Sequence, residues 1–420
     1  MNTSAALPPL TERISILRWL RQNLFRSVAD GAVTVLGIVL LLSLVIPIVT
    51  WALTEARWQV VIENIRLFAI GQYPIEYVWR VWVCVLLLAL ICGVSWGLWL
   101  FRQRAVGAAI LAAFLLLGLL PGALSIPATE KVAGFSLMLP SLAWLVAMST
   151  LGALGYAIAA RAPARARKLV GPAWILYLPV CFVLVAGLGP DGLLATVGSN
   201  LWGGLLLTLL ITAVGIVASF PLGVLLALGR RSKLPVVKAF CIGYIELIRG
   251  VPLITILFMA QLILPLFLPD RVTFGPISFR PEIDRVIRAM AGVSLFSAAY
   301  MAENVRGGLQ NIPRGQFEAA DALGLTATQK MTLIVLPQAL RMVVPILVGQ
   351  FIGLFKDTSL VTIVSLLDLL GIGNTVLAQP KFIGTQREVY LFVAAIYWIF
   401  SYVMGAISRR LELPQSASRR

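Results

Sequence analysis

The 420-residue chain contains no histidine. That excludes a Ser–His–Asp triad and any histidine metal site. Cysteine is scarce as well. Cys84, Cys92, Cys181 and Cys241 all sit in apolar runs without CxxC spacing. They read as packing residues, with no disulfide and no metal expected. No GxxxxGK[ST] phosphate loop occurs, so any work driven by ATP needs a nucleotide site on another subunit. Charge is sparse too. Only 12% of residues are charged, against about 25% in a soluble globule. A membrane-embedded enzyme finds no Cys, Asp or Glu cluster with metal-ligand spacing to build on.

What is present is apolar: 60% of the residues are hydrophobic. Runs of about 20 such residues, enough to cross the hydrocarbon core as helix, recur along the chain. They place spans near 31–53, 77–100, 105–127, 137–160, 170–188, 200–229, 240–268, 284–302, 340–378 and 388–408. The expectation is an all-α integral membrane protein of about ten transmembrane helices. The ninth run is too long for one straight helix and reads as broken.

Lys and Arg fall mainly into alternate segments between these runs. Arg13, Arg18, Arg21 and Arg26 precede the first span, and Arg409, Arg410, Arg419 and Arg420 follow the last. By the positive-inside bias both termini are cytoplasmic. The net charge of +16 mostly reflects this bias. Because the basic residues are scattered between spans, a nucleic-acid partner is not expected. The first apolar run starts only at residue 31 and is long enough to span, so it reads as a retained helix.

The chain divides into residues 1–190, about five spans with few interior charges, and residues 200–412. The Gly-Pro-Asp-Gly segment within 189–199 is the expected boundary. Trp51, Trp58, Tyr77 and Trp79 lie near span ends, as interfacial anchors do. No motif in 1–190 points to chemistry, and those spans could simply be scaffold. Gly187, Gly189 and Gly192 spell GxGxxG, but no strand precedes them, so they read as a turn. Gly349 and Gly353 have GxxxG spacing, which in a long apolar helix predicts close helix packing.

One stretch in the second half is out of character. Residues 303–341 fall on the cytoplasmic side, and 318–337 within them is a mostly polar-faced stretch. Gln316 to Leu323 can form a short helix, and Gly324 suits a left-handed C-terminal cap. Thr326 can cap a second helix running through Gln329 and Leu333. Pro337 then marks re-entry into the membrane. Ala319 and Ala320 permit a close neighbour. The residues alone leave two readings open, an ordinary amphipathic loop or a contact surface for another protein.

The spacing Glu318-Ala319-Ala320, Gly324, Ile334 and Leu336-Pro337 resembles the EAA loop of binding-protein-dependent ABC importer permeases. Glu246-Leu247-Ile248-Arg249-Gly250-Val251-Pro252, Tyr300-Met301-Ala302-Glu303-Asn304-Val305-Arg306-Gly307-Gly308 and Lys356-Asp357-Thr358-Ser359-Leu360 are similar to the polar amino acid permeases within that family. The resemblance covers about 200–412, a type I importer permease domain. The extra spans before it resemble the long permeases of general L-amino acid transporters of Gram-negative bacteria.

The resemblance implies an inner-membrane assembly that imports L-amino acids. Its parts would be this chain, a homologous second permease or a second copy, a cytoplasmic ABC ATPase dimer and a periplasmic amino-acid-binding protein. ATP and Mg would sit on the ATPase, with no cofactor bound by this chain. Glu318, Ala319, Ala320, Gly324 and Pro337 would form the coupling loop that seats in the ATPase. A pathway is expected around a broken helix. Gln350 and Asp357 are two turns apart on one face. Thr358 or Ser359 could cap a helix that resumes at Leu360, whose amino end would suit a substrate carboxylate. Asp357 could take an α-ammonium, or could simply pair with Lys356. Glu246 with Arg249, and Glu303 with Arg306, have ion-pair spacing and read as structural or gating residues. The competing class is an ATP-independent secondary transporter or channel, which would also use a broken helix.

Overall fold

The computed structural model describes residues 20, 23–99, 130–132, 135–137, 141–163, 165, 167–267, 269, 272–274, 277–279 and 283–416. The expected span at 105–127 lies outside them. The described residues form two compact units, 1–58 and 59–420.

The first unit holds one long helix, α1 (Val28–Thr54), capped by the Ser27 hydroxyl accepting from the Asp30 amide at 3.1 Å. None of its residues is buried. An apolar helix exposed on every face has a hydrocarbon environment, not water, as its solvent.

The second unit begins with α2 (Gln59–Ile70) and α3 (Val78–Trp99), followed by α4 (Ser141–Arg161) and α5 (Arg167–Ala186). Gly93 and Gly155 seat α3 directly against α4. A Cβ on Gly93 would stand 2.1 Å from the Gly152 carbonyl, and one on Gly155 would stand 2.6 Å from the Leu90 carbonyl. Small residues at a crossing are how apolar helices pack without a hydrophobic driving force.

Helix α9 (Arg285–Gln310) lies against α6 (Gly204–Arg230) along much of its length and also touches the helices at 235–249, 253–258 and 336–357. Asp284 caps α9 through the amides of Val286 and Ile287. Helix α9 is less apolar than its neighbours, which follows from its place. Ala289, Val293, Ala298, Met301, Ala302 and Val305 are buried by other helices and need no lipid-facing stripe. Helix α7 (Pro235–Arg249) joins α8 (Leu253–Phe267) through a 107° bend at Gly250-Val251-Pro252. Helices α10 (Arg314–Ala322) and α11 (Ala327–Gln329) lead into α12 (Leu336–Asp357); α13 (Leu369–Leu377) and α14 (Gln386–Ser416) follow.

Pro265 and Pro337 stand two residues after π-helical turns at Met259–Ile263 and Lys330–Val335. A proline cannot donate to the carbonyl four residues back and collides with it, and one wider turn beforehand accommodates both defects.

Six helices among the described residues are long and apolar enough to cross a membrane, or up to seven with the bent α7–α8 pair counted as one span. Among the described residues the non-helical elements are two short antiparallel hairpins, Glu130–Val132 with Phe135–Leu137 and Val272–Phe274 with Ile277–Phe279. The run read as 137–160 therefore becomes a helix only from Ser141.

The ninth run is broken at Asp357-Thr358, where the sequence suggests, but helix does not resume at Leu360. Helix α12 ends at Asp357, a seven-residue 3-10 turn follows at Thr358–Val364, and Ser365 is left-handed (φ 63°). Helix resumes at Leu369 under an Asp368 cap. The GxGxxG segment is a turn, with Gly187 and Gly192 at positive φ.

Gly349 and Gly353 also depart from expectation. A Cβ at either would meet nothing within 4 Å. The close approach of α9 to α12 uses Gly308 instead, whose Cβ would stand 2.8 Å from the Ala339 carbonyl.

Candidate functional site

Helices α9 and α12 touch closely at Gly308 and Ala339 and leave room farther along. A cavity of about 310 Å³ opens there, lined by Val293, Ser297 and Tyr300 of α9, Gln350 and Asp357 of α12, and Leu253 of α8 among others. Gln350 is the bridge across it. Its Nε2 donates to the Ser297 carbonyl at 2.9 Å and to Ser297 Oγ at 3.1 Å, and its Oε1 accepts from Asn304 Nδ2 at 2.6 Å. Both amide protons are engaged, so one lone pair on Oε1 is the polar capacity left for anything else.

Asp357 stands about 10 Å farther along α12, two turns on at 1.5 Å per residue. Among the described residues its carboxylate has no hydrogen-bond or ion-pair partner, and Lys356 does not pair with it. The structure thus brings Gln350 and Asp357 to one cavity, as their spacing predicts.

It does not bring Thr358 and Ser359 there. Their hydroxyls turn back and donate to the carbonyls of Phe355 (2.7 Å) and Lys356 (2.8 Å). They satisfy the carboxyl end of α12 and cap no new helix. The sign of the local field is therefore opposite to that expected. The charge presented at this place is the Asp357 carboxylate itself, with no helix amino end facing it. Such a place attracts an ammonium group. The amino end of α13 is closed by Asp368, which is fully buried and accepts from the amides of Leu370 and Gly371 and the hydroxyls of Thr362 and Tyr397.

Beyond Tyr300 the helices end in charge. Glu303 Oε1 accepts from Arg230 at 2.7 Å, and its Oε2 accepts from Arg306 Nε at 2.9 Å and from Arg306 NH2 at 2.7 Å. Glu303 and Arg306 pair as their spacing predicts. Glu246 and Arg249 do not. Glu246 turns to Arg230 at 3.1 Å, while Arg249 approaches Glu303 at 3.9 Å and lies over the Tyr300 ring. Three helices, α6, α7 and α9, are tied by this group. Arg230 was legible only as one of several basic residues ending a span, because its partners are 16 and 73 residues away.

The loop 311–335 follows. Helix α10 ends in a Schellman motif: the Gly324 amide donates to Asp321 at 2.9 Å and the Leu325 amide donates to Ala320 at 3.2 Å. This requires a left-handed residue after the cap, and Gly324 has φ +71°. Thr326 and Gln329 form a reciprocal capping box that starts α11. Lys330 with Asp321, and Gln338 with Gln316 at 3.0 Å, tie the two helices together. Ala320 is buried in the pair, whereas Glu318, Ala319, Gly324 and Pro337 are exposed. Leu323 and Leu333 stand out in solvent at 76% and 63% exposure.

Comparison with known proteins gives this arrangement its context. Residues 219–413 match the family described as "Binding-protein-dependent transport system inner membrane component". The Glutamate/glutamine/aspartate/asparagine transport system permease protein BztC of Rhodobacter capsulatus is 37% identical, over 97% of this chain and 95% of that protein. This chain belongs to the amino-acid ABC transporter permeases. The permease is also 34% identical to the inner membrane amino-acid ABC transporter permease protein YhdY of Escherichia coli, over 94% of this chain and 91% of that one. The Glutamate/aspartate import permease protein GltK of Escherichia coli is 41% identical over 47% of this permease and 85% of its own length. Membership favours an importer permease over an ATP-independent carrier, and places this permease among multi-span membrane proteins.

Proposed function

We propose that this permease forms part of the path by which amino acids cross the inner membrane, with the Asp357 cavity as its ammonium site. The carrying observation is the unpaired carboxylate at the carboxyl end of α12, within a cavity between two long helices. A carboxylate and no basic lining residue suit the one cation that every amino acid carries. The related permeases named for glutamate, glutamine, aspartate and asparagine support amino acids as cargo. A general L-amino acid range is the reading for this chain, with the side chain left to the apolar wall of Leu253, Val293, Phe296 and Leu354.

The partners follow from the same reading. The exposed edge formed by Glu318, Ala319, Gly324, Leu323 and Leu333 seats in a groove of a cytoplasmic ABC ATPase dimer, which carries ATP and Mg. A periplasmic amino-acid-binding protein delivers cargo at the opposite end. A homologous second permease, or a second copy, completes the path. Both termini are cytoplasmic. Residues 1–190 are the membrane extension, and 200–412 the permease domain proper.

The test is reconstitution with these partners in proteoliposomes and uptake of a panel of amino acids. Asp357→Asn should lower uptake about tenfold, the scale of one charge-assisted contact, with assembly intact. Unchanged kinetics would remove Asp357 from the site. Gly324→Ala tests the coupling reading separately. A side chain at that left-handed position costs about 1–2 kcal/mol, and stimulated ATP hydrolysis should then run without matching uptake. Gly324→Asn should be milder.

A further inference from the structure

No sequence motif assigns a task to the N-terminal extension, yet α2 grips the permease helices directly. Its buried face carries Val60, Val61, Asn64, Phe68 and Ile70. The Phe68 ring lies 5.0 Å from that of Phe392 on α14 and 3.9 Å from where a Cβ would stand on Gly373 of α13. Asn64, nearly buried, accepts from Gln379 Nε2 at 3.1 Å, and Glu63 pairs with Lys381. At the end of α2 the grip is backbone on backbone. A Cβ on Gly71 would stand 2.5 Å from Gly203 Cα, and one on Gly204 would stand 2.3 Å from the Phe68 carbonyl. Both glycines have positive φ, so only glycine fits there without strain. Farther on, the Tyr73 hydroxyl donates to the Val185 carbonyl at 2.8 Å. The fully buried Arg80 donates to the carbonyls of Ala195 and Leu193 at 2.8 and 2.7 Å.

The gripped elements are those that lead away from the cavity. Gly204 donates to the Leu367 carbonyl at 2.8 Å, and the Leu369 amide donates to Thr208 Oγ1 at 3.0 Å. From Asp368 the chain returns to Asp357 through Ser365 and the short 3-10 turn alone.

We propose that residues 59–80 are a positioning clamp for the transport path. In this inference α2, α13 and residues 378–385 move as one body, and their placement sets, through 358–368, where Asp357 stands. The second half of the inference rests on the reading of Asp357 as the ammonium site; the first half does not.

The test uses the complete reconstituted transporter. Asn64→Leu leaves Gln379 without its partner and should raise the uptake KM about tenfold. Basal ATP hydrolysis and the amount of assembled complex should hold. A merely structural role would lower the quantity of active transporter and leave KM alone, and that result overturns the clamp. Phe68→Ala should act in the same direction, with Phe68→Leu restoring most of the KM. Independently, Asn64→Cys and Gln379→Cys are joined by a short thiol-reactive cross-linker in a chain whose four native cysteines are replaced by alanine. Uptake that survives cross-linking supports one-body movement; uptake that stops and returns on cleavage overturns it. Asp357→Asn serves as the control. If it leaves uptake unchanged, the site reading fails, and the cross-linking result still decides the clamp.

Discussion

The two ends of the helical bundle in residues 59–420 are held by different physics. At the α2 end, Gly71, Gly203 and Gly204 let backbones touch, and the buried Asp368 carboxylate is satisfied by hydroxyls and amides with no cation beside it. At the end near the 311–335 loop Gly308 also meets the Ala339 carbonyl, but Arg230, Glu246, Arg249, Glu303 and Arg306 hold three helices by charge. Contacts of the first kind are steric and short-ranged, and they fail abruptly when a single atom is added. Contacts of the second kind are graded, partly solvated and screened by salt. A bundle whose far end is interlocked and whose loop end is held largely by charge can loosen near residues 311–335 while keeping its shape at the other end.

Gly204→Ala should break the interlocked end with the largest effect. Left-handed strain adds to a collision with the Phe68 carbonyl, together above about 3 kcal/mol. The expected result is little monodisperse protein in detergent, or a much lowered melting temperature, at any salt concentration. A native-like melting temperature would refute the steric account. Glu303→Gln should weaken the loop end by about 1–3 kcal/mol, since three arginines lose a charged partner. The melting temperature of this variant should respond less to added salt than that of the parent chain. An unchanged salt response would mean the group is not what holds that end. Glu246→Gln should do least, within about 1 kcal/mol, because its side chain is 57% exposed and the pair is a surface one. If Glu246→Gln matched Glu303→Gln, the ranking by burial would be wrong.

Much of the loop was legible before any coordinates. The Gly324 and Thr326 caps depend on neighbours within a few residues, and both form; the return bond from Gln329 that completes a capping box is added by the structure. Glu303 and Arg306, three apart on one helix, pair for the same reason. Glu246 and Arg249 have the same spacing and do not pair, because Arg230 arrives from α6 and offers Glu246 a better partner. Gly349 and Gly353 carry a packing spacing but face open space, while Gly308, with no such signal, makes the contact. The cap before Leu369 was obscured by apolar residues on both sides. Asp368, directly before Leu-Leu-Gly, is nevertheless a residue type that caps helices.

The sequence by itself determined that this is a helical membrane protein, where its polar loop lies, how that loop is capped, and the family to which it belongs. Each of these rests on composition or on interactions a few residues apart. The tertiary structure alone decided that the Asp357 carboxylate at the end of α12 opens onto a cavity, that α2 grips α13 and α14, and that Glu303 gathers arginines from three helices. Those outcomes depend on which helix lies beside which. Every lipid-facing helix shows much the same apolar surface, so the pattern along the chain does not specify its neighbour.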